Sequence, residues 1–471
     1  MKKGSIVEGV EIVDLGAKGK VIGKKEGQAY LTKGALPGDV VSVQIRKNKK
    51  GMKEGNVVRI ETASPHRVEA PCIHQAFCGG CSWQELSYQK QIEFKERNVL
   101  QQLRRIGGLA NVNAEPILGA DKVFGYRNKM EFTFVQQRWL TPEDLAKGDE
   151  VKKDQGIGFH VPGRFDWVLH VEECHLQASD HNKMRNFLFD EARKLHLSFY
   201  HPRDKVGTLR NVVFRNNRKG EWMVLMIVKE QNQEVDELYQ RLIRQFPQIV
   251  SLWSIINQKV NDTFGDCPAT LIHGEPTIKE TFTRPGDGGT LDYLIGPKSF
   301  FQTNSHQAER LYALIYEWAN LDGDELVYDL YTGTGSIALY LANRAKRVIG
   351  IEYVQEAIED AEKNAELNGV DNCSFYAGDM RDILTDDFVA VHGIPDVLVT
   401  DPPRAGMHSD VVQCILNAMP KRIIYVSCDP ATQARDLALL GEKYDVHKTR
   451  AVDMFPHTSH VENIAMLYLR G

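Results

Sequence analysis

The sequence predicts an α/β protein whose carboxyl-terminal part is a doubly wound sheet. Apolar runs rich in β-branched residues alternate with helix-like stretches from residue 325 onward, and several runs end in an acid or a cysteine. Buried parallel strands read as continuous hydrophobic runs, and ligands bind where their carboxyl ends meet. Short strands separated by Gly and Pro over residues 1–62 predict a small β-barrel, followed by mixed α+β structure. We therefore predict three domains, at 1–62, 63–290 and 291–471.

The composition is that of an ordinary globular protein. The 471 residues are 42% hydrophobic and 26% charged, and no apolar run approaches the ~18 residues that a membrane helix needs. The amino-terminal residues lack the long apolar core of a signal peptide. We expect a monomer that works in the cytoplasm and away from membranes. Its eight cysteines stay reduced in that compartment, which favours metal binding or catalysis over disulfides.

Positive charge is concentrated near the amino terminus. Residues 1–67 hold fourteen Lys and Arg against seven Asp and Glu, a balance of +7 in a chain of net charge −5. A basic module on an acidic body indicates a polyanionic partner, and a solvated lysine-rich face is the alternative. Five of the fourteen cations lie in a predicted loop, Arg46–Lys53. With its five predicted strands, residues 1–62 resemble the TRAM domain, a small RNA-binding barrel of the oligonucleotide-binding (OB-like) type.

Four cysteines suggest a metal site. Cys72, Cys78 and Cys81 form a C-x5-C-x2-C run on a glycine-containing loop that precedes a long predicted helix. Three clustered thiolates need a fourth ligand to complete a tetrahedral zinc site or an iron–sulfur cubane, and Cys174 is the candidate. The residues alone leave zinc, a cluster and unliganded thiols open.

A glycine-containing turn follows the strand predicted at Glu325–Tyr331. Thr332–Ser336 reads Thr-Gly-Thr-Gly-Ser, and Glu352 ends the next strand nineteen residues after Gly333. Glycines let the backbone approach a ligand, and an acid ~20 residues on binds ribose hydroxyls in doubly wound sheets. Ala338 stands in place of the third glycine of a dinucleotide-binding turn, which disfavours a dinucleotide. The turn resembles motif I of the class-I, Rossmann-like methyltransferases, which bind S-adenosylmethionine (SAM).

Two later strands also end in acids. Asp379 follows the strand at Phe375–Ala377, and Asp401 ends the next one and is followed by Pro402 and Pro403. The prolines fix φ and remove N–H donors, which makes a rigid shelf. An acid before Pro-Pro resembles a substrate-side motif of methyltransferases that act on planar nucleobases. Each acid alone is equally explained as a helix cap or loop charge, but three in order on successive strands argue against coincidence.

Cys428 ends the apolar strand Arg422–Ser427, just before a helix-like run at Ala431–Leu440. Taken alone, a buried inert cysteine is the common explanation. Its place at the carboxyl end of a strand, where ligands bind, is the observation that favours a functional role.

Five motifs occur in one order along the carboxyl-terminal part. They are Phe300-Phe-Gln302-Thr-Asn304, Asp329-Leu-Tyr331-Thr-Gly333-Thr-Gly335, Asp401-Pro-Pro-Arg404, Tyr425-Val-Ser-Cys428-Asp-Pro430 and His457-Thr-Ser-His460-Val-Glu462. Together they closely resemble the class-I, SAM-dependent RNA uracil-5-methyltransferase family. With the barrel and the cysteine run, the resemblance covers nearly the whole chain and extends to the TRAM-containing, iron–sulfur members that act on 23S ribosomal RNA. The chain departs from the better-known bacterial members at Ser336, where they carry asparagine.

The resemblance implies roles for thirteen residues. It implies a [4Fe–4S] cluster on Cys72, Cys78, Cys81 and Cys174. It implies SAM contacts from Gln302, Tyr331, Gly333, Ser336, Glu352, Asp379 and Asp401. It makes Cys428 the nucleophile and Glu462 the catalytic base.

The chemistry accounts for these residue types. C5 of uracil is a poor nucleophile until a thiolate adds to C6, and a base must then remove the C5 proton. An ordinary thiol, with a pKa of ~8.5, is mostly protonated at neutral pH, so we expect the surroundings of Cys428 to activate it. A stacked uridine must also be flipped out to reach the site.

Other functions and substrates stay open at this level. Methylation of an exocyclic amine also uses an acid before Pro-Pro, but it expects an aromatic residue where this chain has Arg404, and it needs no cysteine. A non-catalytic RNA-binding factor needs neither Cys428 nor Glu462. Among RNA partners we favour ribosomal RNA, with transfer RNA as the alternative, because family members with both barrel and cluster mostly act on ribosomal RNA.

Overall fold

The computed structural model describes residues 3–16, 19–49, 51–148, 151 and 153–471. The amino-terminal strands are β1 Ile6–Leu15, β2 Val21–Lys25, β3 Gln28–Thr32, β4 Val40–Lys49 and β5 Met52–Thr62. They form a closed barrel in the order β1-β2-β3-β5-β4, which confirms the predicted small barrel. Val10, Val41 and Val43 are fully buried in its interior, where the inward-facing residues of a small barrel pack against one another.

The basic stretch around Arg46 is a β-hairpin rather than the predicted loop. β4 and β5 pair antiparallel through this stretch and turn at Gly51, whose φ is +78°. Glycine adopts this left-handed conformation without strain. Arg46 and Lys47 are exposed, whereas Lys50 lies outside the described residues. Residue propensities do not predict these strand ends, because lysine is a poor strand former. Pairing within a hairpin nevertheless accommodates it.

The middle of the chain mixes helices and strands. Its elements are α1 Tyr88–Arg105, β6 Ala114–Leu118, β7 Lys129–Val135, α2 Pro142–Ala146, β8 Gly156–His160, β9 Val168–His170, α3 Asp180–Lys194, β10 Leu209–Asn216, β11 Trp222–Val228, α4 Gln233–Gln245, β12 Ile249–Ile256, β13 Ala269–Gly274, β14 Ile278–Thr283 and β15 Thr290–Ile295. Seven of these strands form one sheet in the order β13-β12-β11-β10-β7-β8-β9, and β14 pairs with β15.

Two arginines of β10 are buried in this sheet. Arg210 is 1% exposed and donates to the backbone carbonyl of Asn257 and to the carboxylate of Asp262. Arg215 is 3% exposed and donates to the carbonyl of Ser299. Their guanidinium groups are turned inward and bind protein oxygens, so neither arginine is exposed for contact with a phosphate group.

The carboxyl-terminal part alternates helices and strands. Its elements are α5 Ser305–Ala319, β16 Leu326–Leu330, α6 Ser336–Ala342, β17 Arg347–Glu352, α7 Gln355–Leu367, β18 Cys373–Ala377, α8 Met380–Ile383, α9 Asp386–His392, β19 Val397–Thr400, α10 Ser409–Ala418, β20 Arg422–Ser427, α11 Pro430–Leu440, β21 Tyr444–Val452 and β22 Glu462–Leu469.

These strands build an eight-stranded sheet in the order β18-β17-β16-β19-β20-β22-β21-β6. The strands from β16 to β20 pair in parallel, and β22 runs antiparallel to β20. The predicted doubly wound α/β fold is thereby confirmed. β6 comes from the middle of the chain and pairs with β21 at one edge.

Both faces of the eight-stranded sheet are covered. Ile424 packs with α5 and α6 on one face, whereas Ile423 packs with α1, α10 and α11 on the other. Alternate residues of one strand therefore enter two cores, as expected for a sheet buried on both sides. None of the helices in the described ranges combines the length and hydrophobicity of a membrane span.

Candidate active site

The candidate nucleophile and base lie next to each other on neighbouring antiparallel strands. Cys428 follows β20 directly, and Glu462 begins β22, where Asn463 lies opposite Ser427 of β20. This register places Cys428 and Glu462 side by side at one end of the strands. Asp429 fixes the chain beyond the cysteine, because its carboxylate caps α11 by accepting two backbone N–H groups.

The thiol of Cys428 holds its proton in the free protein. Burial raises the pKa of Cys428 to about 11, and the carboxyl groups of Glu462 and Asp401 act in the same direction. The guanidinium of Arg404 opposes them. The expectation that its surroundings activate Cys428 is therefore not met by these side chains alone, because acidic neighbours disfavour a thiolate.

Two carboxyl groups with raised pKa values accompany the thiol. Glu462 is 4% exposed, and burial together with Asp401 raises its pKa well above the usual range. Its Oε2 has no hydrogen-bond partner among the described residues. Burial and the charge of Asp329 raise the pKa of Asp401 to about 7, and Asp401 Oδ2 accepts from Gln302 Nε2 at 3.5 Å. Such pKa values suit groups that transfer protons near neutral pH.

A cleft of about 660 Å³ is lined by residues that include Tyr331, Tyr353 and Asp379. Tyr331 has a φ of +63°. A non-glycine residue in this conformation costs on the order of 1–3 kcal/mol and persists only where its surroundings enforce it, commonly at ligand sites. Tyr331 is the residue between β16 and the glycine turn, so the strained position lies at the predicted cofactor site.

The glycine turn is shaped as nucleoside binding requires. Gly333 and Gly335 have φ values of +56° and +76°. The Gly333 N–H donates to Glu352 Oε2 at 3.2 Å, which joins the turn to the acid at the end of β17. A Cβ on Gly335 would lie 3.0 Å from Ala361 Cβ, whereas one on Gly333 would meet open space. Gly335 is thus needed for packing, and Gly333 leaves the approach to Glu352 open.

Two predicted cofactor residues also make contacts with other protein groups. The Ser336 hydroxyl lies 2.9 Å from the Tyr312 hydroxyl. Asp379 caps α8 and pairs with Arg381, whose hydrogen bonds lower the pKa of Asp379 to about 2. Asp379 still lines the 660 Å³ cleft, whereas the contact of Ser336 is explained by packing.

All four predicted metal-binding cysteines line one cavity. Cys72, Cys78, Cys81 and Cys174 surround a space of about 470 Å³ that also reaches Arg404. Burial raises the pKa of Cys78 to about 11 and that of Cys81 to about 12, so these thiols are protonated without a metal. Within the described ranges, no three His, Cys, Asp or Glu side chains are arranged to hold a metal ion.

A buried cation adjoins the cysteine cavity. Arg185 is completely buried, its hydrogen bonds go to uncharged acceptors, and its Nε has no partner in the described part of the chain. Burial lowers the pKa of Arg185 to about 10, and a negative charge on Cys174 opposes this shift. Asn182 holds both the N–H and the carbonyl of Cys174, at 2.9 and 3.1 Å. A buried guanidinium without a carboxylate partner is costly unless an anion binds nearby, and a thiolate-ligated cluster is such an anion.

Comparisons with known proteins decide the family. A protein of Bacteroides thetaiotaomicron named an uncharacterized RNA methyltransferase is 48% identical, over 97% of this chain and 100% of its own length. A protein of Porphyromonas gingivalis with the same name is 47% identical, over 97% and 99%. The family model described as tRNA (Uracil-5-)-methyltransferase matches residues 278–470.

The chain belongs to the SAM-dependent RNA uracil-5-methyltransferase family. A crystal structure of the Pyrococcus abyssi tRNA (uracil-54, C5)-methyltransferase with S-adenosyl-L-homocysteine has a TM-score of 0.73 and 29% identity. It covers 98% of this chain and 100% of that one. The predicted family, the class of enzyme and the use of SAM are confirmed.

Sequence reasoning assigned no role in the site to two residues of this RNA methyltransferase, Arg404 and Tyr353. The positive charge of Arg404 acts to lower the pKa of both Cys428 and Glu462. Its guanidinium contacts the ring of His460 at 3.1 Å. Tyr353 is 68% exposed in the cleft, directly after Glu352. An exposed aromatic residue next to a strand-end acid was a usable signal for Tyr353, whereas the position of Arg404 depends on a loop that the sequence pattern does not determine.

Proposed function

We propose that the enzyme transfers a methyl group from SAM to C5 of a uridine in structured RNA, with 23S ribosomal RNA as the first substrate to test. The observation that carries this proposal is the thiol of Cys428 beside two carboxyl groups of raised pKa. Methylation of an exocyclic amine needs no such thiol, and an RNA-binding factor needs neither thiol nor carboxyl groups.

Cys428 is the proposed nucleophile. The thiol proton passes to the neighbouring carboxylate of Asp401, the Cys428 Sγ forms a bond to C6 of the uracil, and the electron pair of the C5–C6 double bond moves towards O4. Because the free thiol has a pKa of about 11, Cys428 loses its proton only in the complex with its substrates. Arg404, whose charge opposes this rise in pKa, is suitably placed to stabilise the thiolate.

Glu462 is the proposed base. After C5 has accepted the methyl group, Glu462 takes the C5 proton, the C5–C6 double bond re-forms and the Cys428–C6 bond breaks. A carboxylate with a raised pKa is a stronger proton acceptor than an ordinary one. The unpartnered Oε2 of Glu462 is available for that proton.

The residues of the 660 Å³ cleft fit SAM, which supplies the electrophilic methyl group when bound. We propose that Gly333 gives the nucleoside access and that Glu352 accepts hydrogen bonds from the ribose, as the open space at Gly333 supports. Tyr331 and Asp379 line the walls, and we propose that Gln302 and Asp401, which are joined by a hydrogen bond, also contact the cofactor. Ser336 acts on the cofactor only through the packing of the turn.

We assign a [4Fe–4S] cluster to Cys72, Cys78, Cys81 and Cys174. Each thiolate of a cubane binds a different iron, so the four sulfurs must surround a space rather than meet at a point. The shared cavity of about 470 Å³ and the buried, unpaired Arg185 support this assignment, and zinc is the alternative that metal analysis separates.

The barrel at 1–62 is proposed to bind RNA as a TRAM-like domain, with residues 63–290 carrying the cluster and further RNA contacts and residues 291–471 the chemistry. The exposed Arg46 and Lys47 supply cations for phosphates. We place the enzyme in the cytoplasm, where thiols stay reduced. We propose that it acts as a monomer.

Transfer RNA is the second candidate substrate. The archaeal structure that covers the whole chain is that of a tRNA enzyme, so possession of the full architecture does not by itself select ribosomal RNA. The test is methylation of 23S ribosomal RNA and transfer RNA from a strain that lacks the gene, with 5-methyluridine mapped in each. Methyl transfer to a uridine C5 in either RNA supports the function and decides the substrate. Transfer to an exocyclic amine, or to neither RNA, would overturn it.

A further inference from the structure

The segment that leads into Glu462 is held from outside the eight-stranded sheet. Residues 453–461 connect β21 to β22, and backbone groups of this segment receive hydrogen bonds from distant parts of the chain. Lys95 Nζ donates to the Phe455 carbonyl at 2.9 Å, and the Tyr126 hydroxyl donates to the Pro456 carbonyl at 3.1 Å. Neither donor lies on a neighbouring strand of Glu462. The sheet holds Glu462 at the start of β22, whereas the segment that leads into it is held by the middle part of the chain.

Gln91 of α1 is the centre of this attachment. Its side chain is completely buried, and its Oε1 accepts from the His457 N–H at 2.8 Å. Its Nε2 donates to the carbonyls of Trp83 and Leu86 at 3.0 and 2.8 Å. The His457 carbonyl in turn accepts from the N–H groups of Ser82 and Trp83 at 2.9 and 3.0 Å. One side chain thus joins the turn after Cys81 to the segment that carries Glu462.

His457 has a backbone conformation that needs such support. Its φ is +66°, a left-handed value that costs a non-glycine residue on the order of 1–3 kcal/mol unless its surroundings enforce it. The imidazole stacks on Phe124 with ring centroids 4.2 Å apart, and burial lowers the pKa of His457 to about 4. The ring is therefore neutral near pH 7, and its Nδ1 lies 3.1 Å from Gln91 Nε2. Release of the Gln91 hydrogen bonds would let residue 457 return to an ordinary conformation and shift Glu462, five residues later.

A second attachment from the same face of α1 fixes the start of the segment. Lys95 and Asp453 form an ion pair of 2.6 Å whose side chains are both 0% exposed. The Tyr88 hydroxyl donates to the other oxygen of Asp453 at 3.0 Å. Tyr88, Gln91 and Lys95 are spaced three and four residues apart, so they share one face of the helix.

We infer that Gln91 is a positioning residue for Glu462, through which α1 and the cysteine loop control proton removal and release of the product. Cys428 lies outside this attachment, because β20 and the cap of α11 hold it. Disturbing Gln91 should therefore slow elimination and leave addition and methyl transfer intact. The inference rests on the proposed function, since it requires Glu462 to be the base.

The experiment compares Gln91→Met with Gln89→Met. Gln89 lies on the same helix, is exposed and donates to Glu93 at 3.4 Å, so its variant controls for the substitution itself. Gln91→Met should lower turnover by about tenfold or more and accumulate a denaturation-resistant protein–RNA adduct that carries the transferred methyl. Gln89→Met should match the unaltered enzyme.

A second variant protects the test against a simple folding defect. Tyr126→Phe removes only the hydroxyl that binds the Pro456 carbonyl, and it should give the same adduct to a smaller extent. Loss of turnover without adduct in both variants would overturn the inference, as would unaltered turnover in both. Glu462→Gln, measured in parallel, separates the two claims. If Glu462→Gln forms no adduct, the proposed function itself is contradicted. If Glu462→Gln forms the adduct but neither Gln91→Met nor Tyr126→Phe does, only the role of Gln91 is contradicted.

Discussion

The thiol of Cys428 and the thiols of the four-cysteine cavity have pKa values raised by the same cause, burial. The charged side chains that lie beside the two sites differ. Cys428 has two carboxyl groups beside it, whereas Cys174 has the buried guanidinium of Arg185. Burial raises the pKa of Cys428 and of Cys78 alike, to about 11.

This difference in neighbouring charge suits the Cys428 site to proton transfer and the four-cysteine site to binding an anion. Carboxyl groups with raised pKa values can accept and return protons during a reaction, but they disfavour a lasting thiolate. A buried cation favours permanent negative charge and has no proton to exchange near neutral pH. We therefore expect Cys428 to be ionised only during turnover and the four-cysteine site to stay ionised on its metal.

The largest effect is expected at the thiol among the carboxyl groups. Cys428→Ala should reduce methylation by on the order of 10³-fold or more, because no other group forms the bond to C6. Binding of SAM, measured by calorimetry, should stay within about twofold of the unaltered enzyme. Cys414→Ala, at a cysteine of α10, is the control and should be fully active. Readily measured turnover by Cys428→Ala would show that Cys428 is not the nucleophile, and the proposed difference between its thiol and those of the four-cysteine site would fail.

Metal content is the next largest effect, and it concerns the other group. Anaerobically purified protein should be brown and hold about four irons per chain. Cys174→Ala should lose iron as completely as Cys78→Ala, whereas Cys267→Ala, at a buried cysteine outside the cavity, should keep it. Stoichiometric zinc without visible absorbance would show that the cavity holds one ion and not a cluster.

A moderate effect is expected in the pH dependence of stability. The pKa of Asp401 is raised from 3.8 to about 7, so the folded state binds more protons than the unfolded state across this window. Stability from this group is present below about pH 4 and is lost as the pH rises through 7. Asp401→Asn should therefore raise the free energy of unfolding at pH 8 by roughly 1–3 kcal/mol, and less at pH 4.

Asp379→Asn provides the contrast for that measurement. The pKa of Asp379 is lowered to about 2, so its contribution is present above the ordinary pKa of 3.8 and is lost as the pH falls towards 2. Urea titrations at pH 4 and pH 8 should show opposite signs for the two variants at the higher pH. A destabilised Asp401→Asn at pH 8 would mean that the charged carboxylate is well accommodated.

The smallest effect is expected from cations that lie near neither Cys428 nor the four-cysteine site. Replacing Arg46 and Lys47 with alanine should flatten the plot of log affinity for RNA against log salt, by about 0.7–0.9 for each phosphate that the hairpin no longer neutralises. Lys24 and Lys33 are exposed elsewhere on the barrel, and their double alanine variant removes the same charge. Equal slopes for both pairs would show that the hairpin has no specific RNA contact.

Much of this arrangement follows from local sequence. The strand-end positions of Asp401, Cys428 and Glu352 were predictable because buried parallel strands have a clear apolar pattern and a shared edge. The barrel was predictable from its regular turn residues. The basic hairpin was not, because pairing overrides the poor strand propensity of lysine.

Other features depend on long-range packing that no local pattern encodes. The pairing of β6 with β21 joins residues more than three hundred positions apart, at Glu115 and Arg450 for example. The inward direction of Arg210 depends on carbonyl groups of a remote loop. The raised pKa of Cys428 also depends on Glu462, which chain folding brings from a different strand.

The most direct test of the central claim is the fate of Cys428 when the proposed base is removed. Glu462→Gln, incubated with RNA and isotopically labelled SAM, should accumulate a denaturation-resistant adduct, because addition and methyl transfer proceed while elimination stalls. Digestion and mass spectrometry should place one uridine with the labelled methyl on Cys428. An adduct on another residue, or a variant that forms no adduct and behaves like Cys428→Ala, would contradict the proposed roles of Cys428 and Glu462.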